Sequence, residues 1–189
     1  MELLEENINT LVNAKEYHFT YVSIDIAGSS KIVAKYSPDL VQDVFFGFKS
    51  FVRKKSDKFG GIIIEWEGDG GSAVFINDAP SAVLCGIEIV LYLILFNNII
   101  SPLPENINIR IGLHCGEVVY FDDGKKMDLT VKNLSDDIQK QAAPKNNMVI
   151  SDEVFKLLPL KLRERFKGFD FQRLNRHLHL FDKSSAVSF

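Results

Sequence analysis

The sequence predicts an α+β fold, a ferredoxin-like βαββαβ core followed by a small C-terminal α/β extension. Three observations carry this. Phe19 to Ile26 is rich in β-formers and alternates Tyr21, Ser23 and Asp25 against Val22, Ile24 and Ile26, the period of a strand. Two further strand-like runs, Ile62 to Glu67 and Ser72 to Ile76, flank Gly68-Asp69-Gly70-Gly71, the composition of a tight hairpin turn. Helical periodicity fills the segments on either side of that hairpin, which yields the order β-α-β-β-α-β once Ile107 to Tyr120 is read as the next strand.

Taken in order, Met1 to Asn13 carries Glu2, Glu5 and Glu6 and no basic residue, so it reads as a short surface helix and not as a secretory signal. Gly28-Ser29-Ser30 breaks the first strand. Leu40, Val41, Val44, Phe45, Phe48, Phe51 and Val52 then recur at helical spacing within Pro38 to Phe59, and Arg53-Lys54-Lys55 falls near the C-terminal end, where cations suit the helix dipole. Gly60-Gly61 ends that helix. The second helix runs from Ala79 to about Asn98, and Pro102 and Pro104 mark a surface loop after it. The strand region Ile107 to Tyr120 is expected to break at Gly112 and Gly116, and Asp122-Asp123-Gly124 forms a turn. Val131 to Ala143 is helical, Met148 to Ile150 a short strand, and Ser151 caps a helix with Glu153 in its first turn. Two strands close the chain between Phe166 and Phe181. The whole reads as one domain over 1–189, with its core over about 19–158 and C-terminal strands in 159–189.

Composition excludes several classes. Lys and Arg number 22 against 25 Asp and Glu, which leaves no basic footprint for nucleic acid. Cys85 and Cys115 have no CxxC spacing, so neither a zinc site nor a disulfide framework is expected, and a reducing cytoplasm fits. Ala82 to Phe96 is almost wholly apolar with Glu88 its single charge. That stretch is shorter than the about 20 residues of a bilayer span, so it reads as a helix buried on most sides, in the core or at a subunit contact, and no membrane partner is expected.

Two carboxylates stand out by position. Asp25 ends the first strand and Asp69 sits at the hairpin turn, and in a ferredoxin-like sheet those strands are neighbours, so the side chains converge on one edge. Two hard oxygen ligands a few ångströms apart suit magnesium, with phosphates and water completing the octahedron. Singly, each aspartate is an ordinary turn or cap residue. The small-residue turn Ala27-Gly28-Ser29-Ser30 leads toward a helix, where backbone amides can cradle phosphate. His177 and His179 alternate on one strand without a ligand pattern, and Ser29 and Ser30 lack a His-Asp arrangement, which disfavours a serine hydrolase.

Ile24-Asp25-Ile26-Ala27-Gly28-Ser29-Ser30 resembles the first metal motif of class III adenylyl and guanylyl cyclases, and Glu65-Trp66-Glu67-Gly68-Asp69-Gly70 resembles their second. Ile109-Arg110-Ile111-Gly112-Leu113-His114-Cys115-Gly116-Glu117-Val118 is similar to the family's following strand, and Met148-Val149-Ile150-Ser151 to the strand and helix start after its catalytic helix. The matches keep family order from about Phe19 to Leu158. The resemblance implies a homodimer that binds a nucleoside triphosphate and two Mg2+ or Mn2+ ions, with Asp25, Ile26 and Asp69 as the metal set. It further implies Gly28, Ser29, Ser30, Gly68, Glu65, Asp128 and Arg173 as substrate-binding residues and Asn133 as catalytic. The implied reaction is attack of the ribose 3′-hydroxyl on the α-phosphate.

The chain also departs from the family. Aligning Ala142-Ala143-Pro144 with the end of the catalytic helix puts Asp137 where an arginine contacts the transition-state phosphate. Lys132 and Lys140 lie nearby as replacement cations. Glu65 occupies the base-reading position that favours guanine, and it also reads as a solvated strand residue; the second base-reading position falls near Lys126 to Asp128. Three functions therefore stand: an active cyclase, a cyclase-like domain that binds nucleotide or a partner without turnover, and an enzyme of other base choice, such as the pyrimidine cyclases of phage defence.

Overall fold

The computed structural model describes residues 15–120 and 129–184. Among them, seven strands form one sheet of order β2-β3-β1-β4-β5-β7-β6: β1 (Glu16–Ile26), β2 (Ile62–Glu67), β3 (Gly70–Ile76), β4 (Ile109–Val119), β5 (Asn147–Ser151), β6 (Phe166–Phe171) and β7 (Arg176–Phe181). Only β4 and β5 pair in parallel. The first four strands have the ferredoxin-like order and β5 to β7 extend the sheet, as the sequence predicts. The helix expected over Met1 to Asn13 and the turn at Asp122-Asp123-Gly124 lie outside the described residues.

The helices are α1 (Ser29–Lys35), α2 (Pro38–Lys58), α3 (Ala79–Leu95), α4 (Thr130–Asp137), α5 (Asp152–Leu157) and α6 (Leu160–Arg163). Their ends are written in the sequence. Pro38 opens α2 with Asp39 in its first turn and Lys55 and Lys58 in its last, matching the helix dipole. Asp78 accepts a hydrogen bond from the Ser81 amide at 3.0 Å to start α3, and Ser151 accepts from the Val154 amide to start α5. Strand alternation then sorts the core. Val22, Ile24 and Ile26 of β1 join Ile109, Ile111 and Leu113 of β4 beneath α2 and α3, together with Val44, Phe48, Val83 and Ile89. The other residues of β1 face α4: Phe19 and Tyr21 belong to a second cluster against which Val131 packs. Asp25 has the same parity as this second set, so it lies on the α4 face of the sheet.

Two expectations need correction. β4 does not break at Gly112 or Gly116 but runs unbroken through both. Gly112 is needed because α4 lies directly on it: a Cβ there would stand 2.3 Å from the Gln139 backbone nitrogen and 2.6 Å from the Ser135 carbonyl oxygen. Ser135 seals that contact by donating to the Tyr21 and Gly112 carbonyls. Both α3 and α4 end in a π-helical turn, Phe96–Ile100 and Ile138–Ala142, which completes the helical spans expected to about Asn98 and Ala143. Second, α3, which with its turn makes a helix of 22 residues long and apolar enough to cross a membrane by length and composition, is not buried on most sides. It is buried on one side only: Ala82, Val83, Cys85, Ile89, Val90 and Leu93 pack into the core, while Leu84, Leu91, Ile94 and Leu95 are exposed.

Candidate functional site

Main-chain register builds one half of the site. Asp25 lies opposite Gly70 on β3 and Arg110 on β4. Glu67 pairs with Gly70, so Gly68 and Asp69 are the two turn residues, and Gly68 has φ +54°, a backbone state that favours glycine. The Ile26 amide donates to the Asp69 carbonyl at 3.2 Å, which ties the end of β1 to the hairpin tip. A Cβ at Gly70 would lie 2.7 Å from the Ile24 carbonyl oxygen and 3.0 Å from the Asp25 Cβ. Glycine there permits the close approach that sets the two aspartates side by side.

Those aspartates line a cavity of about 220 Å3 with Glu65, Glu67, Lys132, Asp136, Gln139 and Lys140. Five carboxylates against two lysines make an acidic hollow. Its donor set fits magnesium or manganese, which take hard oxygen ligands and use one or two carboxylates beside substrate phosphates. Among the described residues no group of three or more His, Cys, Asp or Glu side chains is placed to hold a metal alone. Phosphate oxygens would thus complete the coordination.

Arg110, to which the sequence reading gave no role, governs Asp25. Its Nη2 donates to Asp25 Oδ2 at 2.7 Å and its Nε to Oδ1 at 3.2 Å, a bidentate fork, while Nη1 donates to the Lys140 carbonyl at 3.1 Å. The signal was available: Arg110 is the cross-strand partner of Asp25 once β1 and β4 pair.

Side chains of α4 build the other half. Lys132 Nζ lies 2.7 Å from Glu65 Oε2 and 3.0 Å from Asp136 Oδ2, and Ser23 Oγ donates to Asp136 Oδ1 at 2.5 Å. Burial alone would lower the Lys132 pKa, but the hydrogen bonds it donates to Glu65 and Asp136 outweigh it and raise the value, so the ammonium is held charged. Glu65 is therefore not a free carboxylate but one end of an ion-paired chain from β2 to α4. Gln139, on the π-turn, is 3% exposed, and its Nε2 has no hydrogen-bond partner among the described residues. A buried donor left open beside this cavity is positioned for a ligand or water.

The remaining predicted residues fall elsewhere in the protomer. Gly28, at φ +83°, and Ser29 and Ser30 form the turn into α1, next in chain to Ile26 but outside the cavity lining. Gly68 borders a neighbouring apolar groove with Trp66, whose indole donates to the Gly68 carbonyl at 3.1 Å. Asn133 is exposed and does not line the cavity. Asp137, one turn on, accepts from Gln141 Nε2 at 2.9 Å. Arg173 is exposed in the short turn between β6 and β7, at the far edge of the sheet. Asp128, with Lys126, lies outside the described residues. His114 is buried against Ser151, and burial lowers its pKa to about 4; it is a neutral structural residue. Burial pushes both cysteine thiols up to about 12, which leaves them unreactive.

Comparison with known proteins bears on the family and the fold. Residues 12–178 match the family model described as the adenylate and guanylate cyclase catalytic domain. A dimeric guanylyl cyclase domain of the RhoGC fusion protein from the aquatic fungus Blastocladiella emersonii superposes with a TM-score of 0.74 at 19% identity, over 89% of this chain and 98% of that one. The guanylate cyclase domain of RhGC from Catenaria anguillulae, solved in complex with GTP, gives 0.72 at 18% identity over 89% and 98%. Adenylyl cyclase CyaB from P. aeruginosa gives 0.74 at 18% identity over 90% and 96%. At these identities the superpositions speak to the fold, and no curated protein sequence matches. The family match spans most of the chain and carries the assignment: this chain belongs to the adenylate and guanylate cyclase catalytic domain family.

Proposed function

We propose that this chain converts a nucleoside triphosphate to a 3′,5′-cyclic nucleotide and pyrophosphate at the interface of a homodimer. The observation that carries this reading is the convergence of Asp25 and Asp69 on one acidic cavity. In the reaction the ribose 3′-oxygen bonds to the α-phosphorus, the bond from that phosphorus to the bridging oxygen breaks, and the hydroxyl proton leaves to solvent. Two bound Mg2+ or Mn2+ ions would lower the pKa of the 3′-hydroxyl and neutralise charge on the departing pyrophosphate. Asp25, Asp69 and the Ile26 carbonyl would hold those ions, and the turn Gly28-Ser29-Ser30 lies next in chain to meet the phosphates.

The chain's own residues supply the rest. Arg110 forks onto Asp25, and its guanidinium would be a donor for phosphates held beside that carboxylate. Asn133 points away from its own cavity and would serve the partner's, together with Arg173 from the outer strands, as expected of two-fold clefts built from two chains. Glu65 and Lys132 present an acceptor and a donor side by side. That pair can read a base edge carrying the complementary donor and acceptor, so turnover of each triphosphate, rather than Glu65 alone, decides the base.

Two observations favour a second reading, nucleotide binding without turnover. Asp137 places an anion where the family has an arginine, and Asp25 is already engaged by Arg110. Incubating the purified protein with each of the four ribonucleoside triphosphates and magnesium or manganese, followed by mass spectrometry, separates the readings. A cyclic nucleotide from at least one triphosphate is expected. Tight binding with no product from any of them would establish the second reading.

A further inference from the structure

The outward side of α3 has no role in the cyclase site, and its chemistry is unusual for a surface. Leu84, Ile87, Leu91, Ile94 and Leu95 recur at helical spacing and fall within an arc of about 100°, the width of one helix face. Leu84 is 42% exposed, Leu91 40%, Ile94 65% and Leu95 45%. The opposite side of the same helix is committed to the core, so the helix cannot leave the domain to span a bilayer. Toward α6 the stripe opens into an apolar cavity of about 310 Å3, walled by Pro80, Leu84, Ile87, Pro159, Leu162 and Phe181. Leu160, next in sequence to that wall, is 72% exposed.

Both margins of the stripe are basic. On the α2 side, Lys55 and Lys58 both contact Glu88, at 3.1 and 2.8 Å, so one acidic charge meets two basic ones and the margin stays net positive. On the α6 side, Lys161 and Arg165 line the cavity rim. An apolar ridge between two cationic margins is complementary to a bilayer with anionic headgroups: the aliphatic side chains enter the acyl boundary, and the long basic side chains reach the headgroups. A second copy of the chain fits less well. A two-fold contact along the ridge would set cationic margins against one another, with Glu88 already engaged. Of the basic cluster Arg53-Lys54-Lys55, Lys55 contributes to this margin through its contact with Glu88.

We propose that this face docks the protein peripherally on an anionic lipid surface, with α3 lying in the interface plane. The proposal is independent of turnover, so its test reads binding alone. The full chain should sediment with phosphatidylcholine vesicles containing phosphatidylserine and remain in solution with vesicles of phosphatidylcholine only. Ile94→Glu should lower partitioning about tenfold. Lys161→Glu, a change of two charges, should lower it by a similar factor and remove much of its dependence on ionic strength. Should Ile94→Glu fail to fold, hydrogen exchange of the unaltered protein provides the reading: vesicles should protect amides of α3 and α6 and leave those of the hairpin unchanged. Failure to sediment with phosphatidylserine vesicles would overturn the proposal, as would sedimentation that Ile94→Glu leaves intact. It would also fall if sedimentation velocity showed a dimer that Ile94→Glu dissociates, since the ridge would then be a contact between copies.

Discussion

The hairpin end and the α4 end of the cavity are built by different means. At the hairpin, main-chain geometry brings the two aspartates together through the Asp25-Gly70 register, the Gly68 turn and the amide of Ile26 on the Asp69 carbonyl, and the Arg110 fork then orients the Asp25 carboxylate. At α4 it comes from side-chain charge, with Lys132 suspended between Glu65 and Asp136 and Gln139 left open. Backbone geometry tolerates only a few residue types at each position, whereas an ion-paired chain can be rebuilt with many. The first end therefore keeps the family pattern and the second departs from it at Asp137.

Removing a ligand from the backbone-built end should have the largest effect. Asp25→Asn and Asp69→Asn are each expected to lower metal-dependent turnover by about a thousandfold with an unchanged fold by circular dichroism. Mixing Asp69→Asn with Asn133→Ala protein should then return roughly a quarter of the activity, because about half the dimers carry one intact cleft. Wild-type rates in either aspartate variant at saturating magnesium would show that the hairpin end is not the metal end.

A substitution at the joint between the two ends should matter next. Gly112→Ala places a methyl group on the backbone of α4, so helix and sheet must part, at a cost of about 1–3 kcal/mol in urea unfolding. If the variant were as stable as the parent, α4 would not be seated on β4 as described. The smallest effect is expected at the charge-built end: Asp137→Arg should raise turnover, by about tenfold, since it puts a cation where the family has its arginine and gives up the contact with Gln141. A fall in rate without unfolding would mean that Asp137 has its own part in the chemistry.

The same difference explains what was legible in the sequence. Strand period, the Gly-rich hairpin and the helix caps are local signals, and they led to the sheet, the order of elements and the convergence of Asp25 and Asp69. Gly112 misled because glycine in a strand usually marks a weak point, and only the helix lying across β4 shows why it is needed there. Lys132 and Lys140 were visible as stray cations, but the engagement of Lys132 by Glu65 depends on a separation of 67 residues that no local pattern encodes. Arg110 was quoted within a motif without being given a task, since its partner lies 85 residues away on another strand. The outward stripe of α3 was read as buried because apolar periodicity cannot tell a core face from an uncovered one.

The fork between Arg110 and Asp25 has a consequence for how such a site would respond to its surroundings. A free divalent ion approaching Asp25 finds a carboxylate that already has its counterion, and taking it would leave the guanidinium without that partner. An ion arriving on a triphosphate brings a replacement anion for the arginine at the same moment, so one exchange satisfies both groups. On the cyclase reading the hollow would respond to the metal-nucleotide complex more than to the free ion, and the supply of that complex would set its occupancy.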